Sequence, residues 1–334
     1  MIEVKNLTRK YGEHTAVDSI SFNIEDGRIY GFLGPNGAGK TTTMNIITGC
    51  LSATDGQVII NGHDIFDEPV KAKKCIGYLP EIPPLYTDMT VLEYLRFVGR
   101  AKGLKRAQIS ASIPDVVAKT GLSDVTNKLI KTLSKGYQQR VGIAQAILGD
   151  PQIVILDEPT VGLDPKQIVE IRSLIKELGQ KHTVILSSHI LSEVSEICDE
   201  IIIISAGKIV ASDSAENLMG RFNSHVIIEI TVKGDPDRAA EALAGLDEVL
   251  EIEIDDSLTG GMSKLFVKAD SDIRAELADI LVQNGIAYIS MNVEKANLED
   301  IFLKLTDNGG EAFTAEEDAA YAGTEENEEE EGDE

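Results

Sequence analysis

The residues 34–42, Gly34-Pro35-Asn36-Gly37-Ala38-Gly39-Lys40-Thr41-Thr42, hold the densest chemistry in this 334-residue sequence. The first eight fit the phosphate-loop pattern G-x-x-x-x-G-K-[ST] without a mismatch. Glycines at these spacings let successive backbone N–H groups converge on a phosphate, and a helix starting near Lys40 points its positive end at the same anion. Lys40 then lies along the β- and γ-phosphates, and the Thr41 hydroxyl is placed to ligate Mg²⁺. Alone, the loop does not separate kinases, GTPases and ATPases. A second constellation follows about 120 residues later, where the apolar run Ile153-Val154-Ile155-Leu156 ends in Asp157 and Glu158. A buried strand delivering two carboxylates at a sheet edge suits a magnesium-binding Asp157 and a Glu158 that takes a proton from an attacking water.

A third motif narrows the choice. Leu133-Ser134-Lys135-Gly136-Tyr137 resembles the Leu-Ser-Gly-Gly-Gln signature of the ABC ATPases, the nucleotide-binding subunits of ABC transporters, with departures at Lys135 and Tyr137. Ser134 and Gly136 still offer a hydroxyl and a bare backbone at a helix start. In the family this helix end faces the γ-phosphate of a nucleotide held by another subunit. The resemblance therefore implies a homodimer or close heterodimer of ATPase subunits around two ATP molecules.

Smaller matches follow in the family's order. By resemblance, Tyr11 stacks on adenine, Asp164 in Gly162-Leu163-Asp164 couples the two subunits, and His189 after Leu186-Ser187-Ser188 contacts the γ-phosphate. His14, His63, His182 and His225 have no such support. Where many members carry Gln, this chain has Glu81 after Tyr78-Leu79-Pro80. Glu81 is either a further magnesium ligand or a group that swings outward. Glu here, the following Pro83-Pro84-Leu85-Tyr86, and Asn297-Leu298-Glu299-Asp300 resemble the branch that drives separate ABC-2-type membrane subunits as exporters. The likeness spans residues 1 to about 305. It implies a coupling surface near Glu81 and the helical insert, against a separate multi-spanning permease subunit.

The elements that must position these groups are legible in outline. Residues 1–220 alternate β-branched runs with helical stretches, which predicts a P-loop α/β domain with a largely parallel sheet. Its clearest strands are 153–156, 183–186 and 201–204, and residues 82–133 read as a helical insert. Residues 221–308 read β-α-β-β-α-β, a small ferredoxin-like accessory domain, with strands near 225–232, 249–254, 264–267 and 286–293. Its helices fall near 236–246, 271–284 and 298–305. It is open whether this domain senses a ligand, extends a dimer interface or covers the main domain. Residues 309–334 predict a disordered acidic tail.

Charge and apolar content set limits on function. Of the net charge of −25, twelve negative charges lie in the last 24 residues, which have no Lys or Arg, so the body is mildly acidic. Such a balance opposes nonspecific binding to nucleic acid or anionic lipid. No apolar run approaches the roughly 18 residues that cross a bilayer, and residues 1–5 do not begin a signal peptide. The chain is expected in the cytoplasm, peripheral to the membrane through its permease. Cys50, Cys75 and Cys198 are read as reduced, small core residues. A rival function, a soluble ABC ATPase acting on a nucleic-acid or protein complex, is opposed by the single ATPase unit and by the lack of zinc modules or long coiled coils.

Overall fold

A computed structural model describes residues 1–222, 226–255, 258, 260–294 and 302. The chain divides after Ser214. The sequence put this boundary at 220; the helix Ala215–Phe222 instead groups with the second unit.

In chain order the first unit runs β1 (Ile2–Tyr11), β2 (His14–Ile24), β3 (Ile29–Leu33), α1 (Lys40–Ile47), β4 (Asp55–Ile60), β5 (His63–Asp64), α2 (Pro69–Lys74) and β6 (Ile76–Leu79). The helical insert supplies α3 (Val91–Ala101) and α4 (Arg106–Lys119), after which α5 (Lys135–Ile147) leads back to β7 (Ile153–Asp157). Then come α6 (Pro165–Gly179), β8 (Thr183–Ser188), α7 (Leu191–Ile197), β9 (Glu200–Ser205) and β10 (Lys208–Asp213).

The central sheet has the order β10-β9-β3-β8-β7-β6 and is parallel except for the β9–β10 pair. Every residue of β3, β7 and β8 is buried, as unbroken apolar runs are when helices cover both faces of a sheet. Register places Leu33 beside Ser188, Asp157 beside Ser187, and Leu79 beside Leu156. The loops after β3, β8, β7 and β6 therefore leave one edge of the sheet together, where open α/β sheets bind ligands. These four loops carry Lys40, His189, Glu158 and Glu81.

The sequence reading had one sheet; the structure has a second in this unit. Strands β2-β1-β4-β5 pair antiparallel. Its reason is visible in β1, where Ile2 and Val4 alternate inward and Gly12, at φ +60°, turns the chain into β2. Both sheets share one core that joins Ile2, Val4 and Val17 to Phe32, Ile155 and Ile185.

Two contacts fix the insert and α5. The side chain of Thr90 caps α3 by accepting from the Glu93 N–H, and Glu93 accepts in return from the Thr90 N–H. Lys102 Nζ donates to the carbonyls of Gln145, Ala146 and Leu148 at 2.7, 2.9 and 2.9 Å, closing the end of α5. At Gly77 of β6, a Cβ would lie 2.2 Å from the Ala146 carbonyl oxygen, so only glycine lets α5 approach.

The second unit contains α8 (Ala215–Phe222), β11 (Val226–Lys233), α9 (Pro236–Leu243), β12 (Val249–Asp255), β13 (Met262–Ala269), α10 (Arg274–Gln283) and β14 (Ala287–Glu294). The sheet order β12-β13-β11-β14, antiparallel throughout, is that of a ferredoxin-like unit. Ile228, Ile230, Val232, Leu265 and Val267 pack on Leu243, Leu277 and Leu281. The helix expected at 298–305, apart from residue 302, and the acidic tail at 309–334 lie outside the described residues. All three cysteines are free, but Cys50 is exposed, not in the core; Cys75 packs at the core's margin. Among the described residues no helix is long and apolar enough to cross a membrane.

Candidate functional site

The loop between β3 and α1 forms the wall of a cleft of about 550 Å³ that includes Tyr11, Asn36, Gly37, Gly39, Lys40, Thr41 and Thr42. Gly37 and Gly39 take φ of +82° and +108°, which L side chains resist, and a Cβ on Gly39 would meet the Ala16 carbonyl oxygen at 2.6 Å. Gly34 and Ala38 are buried beneath the loop, and Pro35 accepts from the Ala38 N–H at 3.2 Å. Lys40 is 6% exposed; its Nζ donates to the Gly34 carbonyl at 2.8 Å and the Pro35 carbonyl at 3.3 Å. A buried ammonium and converging N–H groups at a helix start make an anion cradle.

The carboxylates stand opposite. Glu158 Oε1 lies 3.4 Å from Lys40 Nζ, and Oε2 lies 2.9 Å from His189 Nδ1. Glu158 takes φ +47°, an unusual conformation for a non-glycine residue and one found where function fixes a side chain. With Nδ1 directed at Glu158, Nε2 is the His189 nitrogen left for a ligand. Ser187 organises both acids: its hydroxyl donates to Asp157 Oδ1 at 2.5 Å and accepts from the Glu158 N–H at 2.9 Å. Thr41 Oγ1 donates to Asp157 Oδ1 at 3.3 Å. Burial pushes the Asp157 carboxyl above the usual carboxylate range, against these two hydrogen bonds and with the nearby charges of Glu158 and Glu81.

This pocket fits a divalent cation that is also held by a nucleotide. Asp157 Oδ2 is fully buried and, among the described residues, has no hydrogen-bond partner. An orphaned carboxylate oxygen beside a threonine hydroxyl supplies the few hard oxygens that Mg²⁺ takes from protein when phosphates and waters complete its shell. No group of three or more His, Cys, Asp or Glu side chains forms a cage among the described residues. Glu81 is exposed and lines the same cleft. At the far end Tyr11 is 47% exposed, with the Arg9 guanidinium 4.7 Å from its ring centre.

The signature residues stand elsewhere. Ser134 caps α5 by accepting from the Tyr137 N–H at 3.4 Å. Lys135 reaches over Gly162, where a Cβ would meet its Nζ at 2.0 Å, and Gly136 is buried against Gln167. Asp164 caps α6 by accepting from the Gln167 N–H at 2.9 Å. None of Ser134, Lys135, Gly136, Tyr137 and Asp164 lines the cleft that holds Lys40. The chain thus presents one cleft around Lys40 and, off that cleft, a second helix start.

The ABC transporter family model matches residues 17–161. The linearmycin resistance ATP-binding protein LnrL of Bacillus subtilis is 34% identical over 314 residues, which cover 92% of this chain and 98% of that protein. The chain belongs to the ABC transporter ATP-binding proteins. The bacitracin transport ATP-binding protein BcrA of Bacillus licheniformis is 33% identical, again over 92% of this chain and 98% of that protein. Among solved structures, the dimeric post-hydrolysis state of the ATP-binding cassette MJ0796 with ADP and Pi matches at a TM-score of 0.59 and 27% identity, covering 64% of this chain and 98% of that one. As an ATP-binding protein of this family, the chain is an ATPase that serves transport.

Sequence reading missed several neighbours of this ABC ATPase cleft. Ser187 stands in the sequence only as a flank of His189, although its place at the end of a buried strand beside Asp157 follows once β7 and β8 pair. His14 also lines the cleft, directly across the hairpin from Tyr11. The two-residue turn Gly12-Glu13 was the available signal. Ala16 and Val161 complete the lining without any local mark.

Proposed function

We propose that two copies of this chain, or one copy and a close relative, close around two Mg·ATP molecules and drive a separate ABC-2-type membrane subunit, as an exporter at the cytoplasmic face of the membrane. The single observation that carries this reading is the split site. Lys40, Glu158 and His189 converge on one cleft, with the buried Asp157 behind Thr41 of its lining, and Ser134–Tyr137 of the same chain lie off it.

In this reading Tyr11 stacks on adenine, and residues 34–42 wrap the phosphates. Asp157 and Thr41, with Glu81 approaching from the β6 loop, hold the magnesium ion. When bound, it neutralises phosphate charge and orients the triphosphate. Lys40 exchanges its Gly34 and Pro35 carbonyls for phosphate oxygens and releases Glu158 Oε1 toward the attacking water. Water adds to the γ-phosphorus, the bond to the β,γ-bridging oxygen breaks, and the water proton passes to Glu158. With both ring nitrogens protonated, His189 donates to Glu158 through Nδ1 and to the γ-phosphate through Nε2. Ser134, Lys135, Gly136 and Tyr137 of the other subunit close over the same phosphate, and Asp164 carries the closure between subunits. Loss of the phosphate reopens the pair.

Two relatives support the transport side, one named for linearmycin resistance and one for bacitracin transport. The dimeric cassette bound to ADP and Pi supports the pairing. The test is Ser134→Arg, which places a bulky cation at the helix start outside the chain's own cleft. ATP binding to the single chain should stay within about twofold, while hydrolysis falls at least about a hundredfold and loses its dependence on protein concentration. Unchanged hydrolysis in Ser134→Arg would sink the two-subunit site.

A further inference from the structure

Behind the cleft lies a buried carboxylate with no part in the steps above. Glu193, on α7, is 3% exposed. Its Oε2 accepts from Thr160 Oγ1 at 2.6 Å and from Ser188 Oγ at 3.4 Å. Thr160 and Ser188 are themselves 5% and 1% exposed. Arg172, from α6, approaches the other oxygen, with Nη2 3.9 Å from Oε1, and also pairs with Glu196. A buried carboxylate is costly unless charge and hydrogen bonds answer it, so three separate segments are held to this one group.

The two hydroxyls have informative positions in the chain. Thr160 stands two residues after Glu158 and opens the turn that runs to Gly162 and Asp164; the Val161 N–H bonds back to the Glu158 carbonyl at 3.3 Å. Ser188 stands one residue before His189, and its oxygen also accepts from the Ile190 N–H at 3.0 Å. Glu158 and His189 meet at 2.9 Å only if these two loops keep a fixed separation. One Glu193 oxygen spans them from behind.

We infer that Glu193 is a positioning residue: with Thr160 and Ser188 it locks the Glu158 loop to the His189 loop, so that the water-activating pair and the turn leading to Asp164 shift as one body. Arg172 extends the lock to α6. The inference rests on the reading of Glu158 and His189 as the hydrolytic pair. It adds a requirement that neither residue reveals, since Glu193 is not among the residues that line the cleft.

The test uses the full-length chain, with kcat and KM for Mg·ATP measured beside thermal unfolding. Thr160→Val keeps the side-chain shape and removes the donor. It should lower kcat about tenfold with KM within about twofold, beside a fall in Tm of a few degrees from the donor lost to a buried carboxylate, because misplacing a reacting group by a fraction of an ångström acts on the chemical step. Thr160→Ser should restore kcat to within about twofold of the parent. Glu193→Gln replaces the charged acceptor by a weaker, neutral amide oxygen and should lower kcat less than Thr160→Val does, and the Thr160→Val/Glu193→Gln double variant should be no slower than the slower single one, because both act on one contact. Thr160→Val turning over at the parent rate, Thr160→Ser as slow as Thr160→Val, or losses that multiply in the double variant would each overturn the inference. If Glu193→Gln fails to fold, the Thr160 pair still decides. Parent-level hydrolysis by Glu158→Gln would instead remove the reading beneath it, and is a separate result.

Discussion

At the residue scale, Asp157 shows how the site trades stability for a ligand. Its carboxyl is buried, one oxygen has no partner among the described residues, and burial holds its pKa above the ordinary range. A carboxyl that binds its proton more readily folded than unfolded loses stability for the protein as pH rises from the ordinary carboxyl range through the raised value. In metal-free solution at neutral pH, Asp157→Asn should therefore raise Tm, by on the order of 2 °C, while abolishing hydrolysis. The difference from the parent should shrink as pH falls below the ordinary carboxyl range. A difference that stayed constant with pH would show that the ionised carboxylate is not the source. Lys40 acts in the opposite sense, since it is the cation beside Glu158. Lys40→Ala should weaken ATP binding about a hundredfold, roughly 2.7 kcal/mol, as read by a fluorescent-nucleotide titration. Lys40, Asp157 and Glu158 were legible because each sits in a short pattern with a chemical reason. Ser187 and Glu193 were not, because their shortest hydrogen bonds, to Asp157 and Thr160, reach 30 and 33 residues away in sequence.

At the element scale, the central sheet was readable where strands are continuous apolar runs, as in β7 and β8. The antiparallel sheet was not, since β1 and β2 carry many exposed polar residues that alternate with the buried ones and give weaker runs. The position of α5 depends on contacts that sequence patterns do not carry. Lys102 closes its C-terminal end with three carbonyl bonds, and Ser134 caps its start. Lys102→Met keeps the aliphatic stem and removes the donors. It should cost about 1 kcal/mol, a fall in Tm of about 2–4 °C, and should speed hydrogen exchange at the end of α5. Exchange unchanged at residues 144–148 would contradict the capping role.

At the scale of the whole molecule, the two units answer different questions. The first holds every residue that the proposed reaction uses. The second is a separately cored sheet-and-helix unit whose β-α-β-β-α-β order was legible from its alternating strands and amphipathic helices. In the proposed function, one chain carries half of each ATP site. Glu158→Gln keeps the cradle and the hydrogen bonding of the side chain but removes the proton acceptor, and should hydrolyse ATP at least about a hundredfold more slowly. Its mass in solution, measured by light scattering with and without Mg·ATP, is the most direct test. The Glu158→Gln protein should have a single-chain mass without nucleotide and a stable doubled mass with Mg·ATP that falls back when Ser134→Arg is added. A Glu158→Gln protein that binds Mg·ATP and keeps its single-chain mass at all concentrations would contradict it.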